Sequence, residues 1–293
     1  MTTTTRWGVL LVPGDDLDSR TAVHRVSAHL SEMDVVLAPG ADPDQAVTLA
    51  RSHSVRAALV AGAADATAAL QAAGYAVLHL HAGAAEPAGP PPAAALVLAH
   101  RPRWSDRDEP LPRGVQRVLS FTPVRRGWNG RGSYRLMALA VGAATPEAVE
   151  TYTREVLLPL VEGSHEPVRI LTDGPPAAVL AGLRGVPADV LTTSEAALDD
   201  LHAGCVEFAA TPSLAALTLA RARGKAPMAL LPPLDAAQER LRQQVTKTVR
   251  IADAADAGRD PVDWSVLDAF DDDLSGAQRV ARKLRQLAIA PWA

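Results

Sequence analysis

Short apolar runs that alternate with helical segments predict an α/β protein built from two parallel-sheet domains facing across a cleft. Three observations carry the prediction. At 293 residues and 48% apolar content the chain can bury an extensive core, and its length suits two domains better than one. The apolar runs are four to six residues long and stop at Pro, Gly or polar residues, as strands buried on both faces do. The rhythm breaks once, at a Pro/Gly-rich stretch near the middle, and then resumes.

The elements follow in order. GVLLV (8–12) is the first strand, and DSRTAVHRVSAHLS (18–31) the first helix, with Ala22, Val23, Val26 and Leu30 at helical spacing. VVLA (35–38) is a strand, and Asp42-Pro43 opens a helix to about Ser52. AALVA (57–61), a helix around ADATAALQAAG, and AVLHL (76–80) continue the alternation, which requires crossovers between parallel neighbours. GAAEPAGPPPAAA (83–95) is a loop, and LVLAH (96–100) a further strand. Residues 101–135 are polar, basic and rich in Pro and Gly, reading as the connection between domains with a short strand at VQRVLSF.

RLMALAVG (135–142) restarts the pattern. Thr145 as N-cap, Pro146 at the first helical position and Glu147 in the first turn open a helix ending near Val161. VRILTDG is the next strand, PPAAVLAGLRG a helix, ADVLTT (188–193) a strand, and SEAALDDLHAG (194–204) a helix capped by Ser194. CVEFAA is a strand, Thr211-Pro212-Ser213 starts the helix LAALTLARAR, Gly224 ends it, and PMALLP is a strand before the loop from Pro233 to Gln238. The C-terminal DWSVLDAFDDDLSGAQRVARKLRQLAIAPWA reads as one or two amphipathic helices. The expected division is 1–122, a linker at 123–134, a second domain at 135–262, and helices at 263–293 that pack back on the first domain. Ligands of such sheets bind beyond the carboxyl ends of strands, where helix starts offer free N–H groups to anions, so the inter-domain cleft is the expected site.

Charge and composition exclude several classes. A net charge of -4 disfavours nucleic acid and anionic membranes as partners, and no segment reaches the ~20 apolar residues of a transmembrane helix. The start MTTTTRWGVLLVPGDD has no long apolar signal region, and the single cysteine, Cys205, fits a reducing compartment. A cytoplasmic protein is expected. His24 and His29 are five apart and share no helix face, His79 and His81 lack acidic neighbours, and Asp271 to Asp273 reads as a helix-flanking turn, so no metal site is expected.

The order strand, polar helix start, Ala-rich helix, Gly-x-x-Pro, strand, Pro-Pro and downstream Gln resembles the donor-binding domain of GT-B-fold nucleotide-sugar glycosyltransferases. The chain is most similar to cytosylglucuronic acid (CGA) synthases, which join cytosine to glucuronic acid from its UDP derivative in nucleoside antibiotic biosynthesis. LMALAVGAATPEAVETYTREVLLPLV followed by VRILTDG supports the same resemblance, which covers residues 135 to 250; in the N-terminal half it rests on the βα rhythm alone. It implies two Rossmann-like domains, an acceptor side and a donor side, with a UDP-sugar as co-substrate and no other cofactor.

The resemblance further implies a small-residue turn at Gly142, Ala143 and Ala144 near the diphosphate, main-chain contacts to uracil at Thr192 and Thr193, and phosphates at Thr211, Pro212 and Ser213. Asp235 and Gln238 fall in the loop that touches sugar hydroxyls. Arg125, Arg126 and Arg131, interleaved with Trp128, are expected beside the cleft as contacts for a carboxylate or phosphate.

Two departures stand out. Where relatives carry a ribose-binding glutamate this chain has Thr218, Leu219 and Ala220, and where many place a Gly-x-Gly-His loop it has Pro13-Gly14-Asp15-Asp16-Leu17-Asp18-Ser19. Asp16 and Asp18 are the candidates for a catalytic base, and equally for a capping cluster. The readings that follow are a UDP-sugar glycosyltransferase with a small acceptor such as cytosine, a weak or inactive relative that binds a nucleotide or a partner synthase, and an epimerase or hydrolase on the same plan. A homodimer, or a heteromer with a related synthase, fits either of the first two.

Overall fold

The computed structural model describes residues 7–84, 96–105, 110–123, 127–128, 131–224, 226–256 and 261–290. The N-terminal half runs β1 (Gly8–Pro13), α1 (Leu17–Ser27), β2 (Asp34–Leu37), α2 (Pro43–Ser52), β3 (Val55–Ala61), α3 (Ala64–Ala72), β4 (Ala76–His81), β5 (Leu96–His100) and β6 (Val115–Val118). Its sheet has the order β2-β1-β3-β4-β5-β6, with every pairing parallel. The runs read as doubly covered strands are so in β1 and β3, where Val9, Leu10, Leu11, Val12, Leu59 and Val60 are fully buried. β2 is the exception. It is the edge strand, and Leu37 is 61% exposed.

The second half runs β7 (Tyr134–Leu139), α4 (Pro146–Tyr152), a π turn (Thr153–Leu157), α5 (Leu158–Glu162), β8 (Val168–Thr172), α6 (Pro176–Leu183), β9 (Asp189–Thr192), α7 (Leu198–Ala203), β10 (Cys205–Ala210), α8 (Leu214–Arg223), β11 (Met228–Leu230), α9 (Ala236–Thr246) and β12 (Ala252–Asp253). Its parallel sheet is ordered β12-β11-β10-β7-β8-β9. A 3-10 turn (Ser265–Phe270) and α10 (Gly276–Ile289) complete the chain. Ala277, Val280, Ala281, Leu284 and Ala288 of α10 share a core with Val9, Leu11, Leu59 and Leu78, so this helix returns to the first sheet.

Helix starts obey local chemistry. Asp42 and Thr145 cap α2 and α4 ahead of a proline, and Ser213 caps α8. Ser194 does not cap its helix. The Glu195 carboxylate accepts from the amide and hydroxyl of Thr192, and the amides of Glu195 and Ala196 turn back to the Thr192 carbonyl. That tight turn consumes residues 192–196 and postpones α7 to Leu198. Gln238 lies in the first turn of α9, whose cap is Asp235, and not in the loop before it.

Strand order reverses direction between β1 and β3 in the first sheet and between β7 and β10 in the second, and crevices form at the carboxyl ends of strands at such points. The two reversal points face each other. α1 leaves the first, α8 leaves the second, and the helices pack directly together through Asp18 and Arg25. Leu17 of α1 and Trp104 belong to the same core as Leu136, Phe208, Leu217 and Leu219, so apolar packing is continuous across the domains.

Candidate functional site

The two helix starts at the junction exchange carboxylates. Asp16 caps α1 from within, accepting from the Ser19 amide at 2.7 Å. Asp173, just past β8 in the other domain, adds a second: one of its oxygens accepts from the Leu17 amide at 2.7 Å and the other from the Val141 amide at 2.7 Å. In return Asp18 crosses to α8 and accepts from the Ala215 amide at 2.7 Å, beside Ser213, which accepts from Ala216. Each start, with its unpaired N–H groups and positive dipole end, is thus closed by an acid from the opposite domain.

Crowding here changes the chemistry of Asp18 and Asp173. Burial pushes Asp18 up to about 7, Asp16 and Asp173 add like charge, and the Ala215 and Leu214 amides only partly offset them. Burial likewise raises Asp173 to about 6 against its two amide bonds, with Asp16 again adding repulsion. Carboxyl groups raised towards the neutral range in this way occur at acid–base sites and in buried structural contacts alike.

About two helical turns beyond Asp18, Arg25 fills the space between α1, α7 and α8. Its guanidinium is 1% exposed and donates to Asp199 at 2.7 and 3.0 Å, to the Thr218 hydroxyl at 2.9 Å, and to the carbonyls of Phe121 and Ala215 at 2.8 and 3.1 Å. Burial alone would raise Asp199, but Arg25 outweighs it and holds the carboxyl below its ordinary value. The far end of α8 is tied as firmly. Arg221 pairs with buried Asp272, which also accepts from the Ser120 amide and hydroxyl, and Arg223 donates to His202 and the Asp199 carbonyl. Within the acidic turn that flanks α10, Asp272 therefore forms a buried bridge.

Beside this junction lies a cavity of about 310 Å³ between one face of α1 (Leu17, Arg20, Thr21, His24, Ser27), the end of β2 (Leu37, Pro39) and the segment from Thr193 to Leu198. Its walls are apolar and its rim carries hydroxyls, an arginine, a histidine and Glu195. Among the described residues no group of His, Cys, Asp and Glu could hold a metal, and no helix is long and apolar enough to cross a membrane.

Residues 9–292 match the family described as CGA synthase-related protein. The chain belongs to that family. Among solved structures it is similar to the glycotransferase of kitacinnamycin, at 12% identity and a TM-score of 0.52 over 97% of this chain and 100% of that one. It is also similar to the glycosyltransferase SnogD from Streptomyces nogalater, at 15% identity and 0.51 over 97% and 95%. The calicheamicin glycosyltransferase CalG4 gives 11% identity and 0.50 over 98% and 100%. These likenesses establish the two-domain α/β GT-B fold for this CGA synthase-related protein. No curated protein matches it.

Within the CGA synthase-related chain the expected donor residues gather at the carboxyl ends of β7, β9, β10 and β11, but most are engaged by hydrogen bonds within their own domain. Gly142 has φ +58°, and a Cβ there would lie 2.7 Å from an Asp235 oxygen, so the turn with exposed Ala143 demands glycine. Asp235 accepts from the Gln238 amide, while the Gln238 side chain accepts from Leu234 and donates to the Ala140 carbonyl at 2.7 Å. Thr211 is fully buried and accepts from the Ala140 amide; Pro212 is buried beside it. The Thr192 hydroxyl is held by Ser194 and Glu195, and Thr193 borders the cavity.

Of the arginines expected beside the cleft, only Arg131 is among the described residues; Arg125 and Arg126 lie outside them. Arg131 precedes Gly132 and Ser133, which abut the Gly204 carbonyl, and Trp128 donates to the Cys205 carbonyl. Those are the amino ends of β7 and β10, opposite the cleft, because a linker entering a parallel sheet arrives at its amino edge. Sequence reasoning missed Arg25, Asp173, Asp199 and Asp272. The one signal available was Arg25 itself, a charge set among the apolar positions Ala22, Val23 and Val26.

Proposed function

We propose that this CGA synthase-related protein is a glycosyltransferase that moves a sugar from a UDP-sugar to a small acceptor such as cytosine, with Asp18 as the base. The observation that carries this reading is the placement of the carboxyl pair Asp18 and Asp173 on the helix starts where the reversal points of both sheets meet, with burial raising both above the ordinary carboxylate range. In the reaction the acceptor's ring N–H attacks the anomeric carbon, the bond from that carbon to the diphosphate oxygen breaks, the proton passes to Asp18, and UDP leaves. The amides at the α8 start stabilise the charge that develops on the leaving diphosphate, which needs no metal. The cavity against Thr193 and Ser194 is of a size for a planar base, with apolar walls for its faces and hydroxyls for its edges.

A second reading is favoured by a specific observation. Asp18 already occupies the Ala215 amide, and Arg25 occupies Thr218 where a ribose-binding carboxylate would serve a donor. On that reading the protein is a relative without transfer activity that acts as partner to a synthase.

Incubation with UDP-glucuronic acid and cytosine, followed by chromatography for UDP and calorimetry with UDP, separates the two. Cytosine-dependent UDP release that disappears in Asp18→Asn supports the transferase. UDP binding without release under any acceptor tried favours the second reading, and failure of UDP to bind at millimolar concentration refutes the nucleotide-sugar assignment.

A further inference from the structure

We infer that α1 is an intramolecular plug: Asp18 and Arg25 hold the α8 start shut, and a diphosphate reaches it only when α1 withdraws. The inference rests on the nucleotide-sugar reading for the identity of the excluded ligand, but the plug itself rests on contacts.

Three features of those contacts point to closure and not to ordinary packing. One amide hydrogen donates to one strong acceptor, and the Ala215 N–H is given to Asp18 at 2.7 Å, so a phosphate oxygen and this carboxyl compete for the same donor. The closure is reciprocal, because Asp173 simultaneously holds the Leu17 amide at the α1 start; moving α1 away breaks both bonds together. Arg25 then adds a lock one to two turns along, joining Asp199 and Thr218 of the second domain to the Phe121 carbonyl at the end of the first.

The electrostatics set the direction of the competition. With Asp16, Asp18 and Asp173 converging on the two helix starts, an incoming dianion is repelled while Asp18 stays in place. It is attracted by the α8 dipole once Asp18 leaves. Apparent affinity is reduced by the fraction of molecules in which the plug is withdrawn. Removing the plug carboxylate is therefore expected to raise affinity for UDP, whereas removal of a residue that binds UDP would lower it.

The test uses the full chain with Asp18→Ala and Asp18→Asn, titrated calorimetrically with UDP and with pyrophosphate. Hydrogen exchange of the peptide spanning 211–218 is followed in parallel. Asp18→Ala frees the Ala215 amide and is expected to raise affinity for both probes at least tenfold and to speed exchange at the helix start. Asp18→Asn keeps the shape and an acceptor oxygen, so its affinity is expected to rise about threefold or more with exchange little changed; it serves the same comparison if Asp18→Ala does not fold. Faster exchange in Asp18→Ala with no UDP binding by either protein upholds the plug and sinks the nucleotide reading. Wild type that binds UDP as tightly as both variants overturns the plug while the nucleotide reading stands. Unchanged exchange together with unchanged affinity in a folded Asp18→Ala overturns the plug as well.

Discussion

Replacing Arg25 by Met is the sharpest probe of how the domains are joined. The methionine fills much of the space but leaves the buried Asp199 carboxylate without its cation and takes the Arg25 donor from the Phe121 carbonyl, while the Thr218 hydroxyl and the Ala215 carbonyl keep their bonds within α8. Removing one partner of a buried pair costs about 3–5 kcal/mol, because the remaining charge stays desolvated. At roughly 2–4 °C per kcal/mol for a chain of this order of size, the melting temperature should fall by about 10 °C. The double variant Arg25→Met with Asp199→Leu removes both charges and should recover most of the loss, since a buried pair replaced by apolar groups is close to neutral. Denaturant unfolding followed by circular dichroism and by tryptophan fluorescence gives the four free energies of the cycle. Trp7 packs against the first-domain core and Trp264 lies in the second, so separation of the two signals in Arg25→Met would show the domains uncoupling. A single-variant cost below about 1 kcal/mol, or a double variant no better than the single, refutes the argument.

Other expectations follow from the same geometry. Asp18 and Asp173 bind their protons more tightly folded than unfolded, so their contribution to stability is complete below about pH 4 and is lost as pH rises through about 6 to 7. Asp18→Asn should flatten that fall when the two proteins' unfolding free energies are compared between pH 4.5 and 8. Gly142→Ala forces a Cβ against Asp235 at positive φ and should cost about 1–2 kcal/mol, read as a lower melting temperature. Gln238→Ala strands the Leu234 amide and leaves the Ala140 carbonyl with only the longer bond from the Thr211 hydroxyl, and should cost about 1–3 kcal/mol in denaturant. Burial pushes the Cys205 thiol up to about 12, so a thiol reagent at pH 8 should label it only on unfolding.

The fold was readable because its signals are local. Runs such as GVLLV and VRILT, and caps such as Asp42-Pro43 and Thr145-Pro146, declare strands and helix starts within a few residues. Helix boundaries failed where a side chain changed the local hydrogen bonding, as Glu195 does ahead of α7. The site was only half readable. Its expected location at strand ends and the capping roles of Asp16 and Ser213 lie in short-range patterns, whereas Asp235, read from sequence as a sugar contact, caps α9. The partners of Asp18, Arg25 and Asp272 stand 197, 174 and 152 residues away, and nothing local in those positions declares a partner. Thr218 illustrates the consequence. From sequence it marks a missing carboxylate, whereas in the fold it is one of the groups that Arg25 from the other domain fastens.

The central claim is that α1 closes the start of α8, and the exchange rate of the Ala215 amide in the wild-type protein at pH 7 tests it most directly. Among first-turn amides that end in solvent, exchange is fast. Closure by Asp18 predicts an Ala215 amide protected to the level of the Leu217 and Leu219 amides within the same helix. An Ala215 amide that exchanges like the first turn of α4, whose Glu147 and Ala148 have no partner from the other domain among the described contacts, would contradict it.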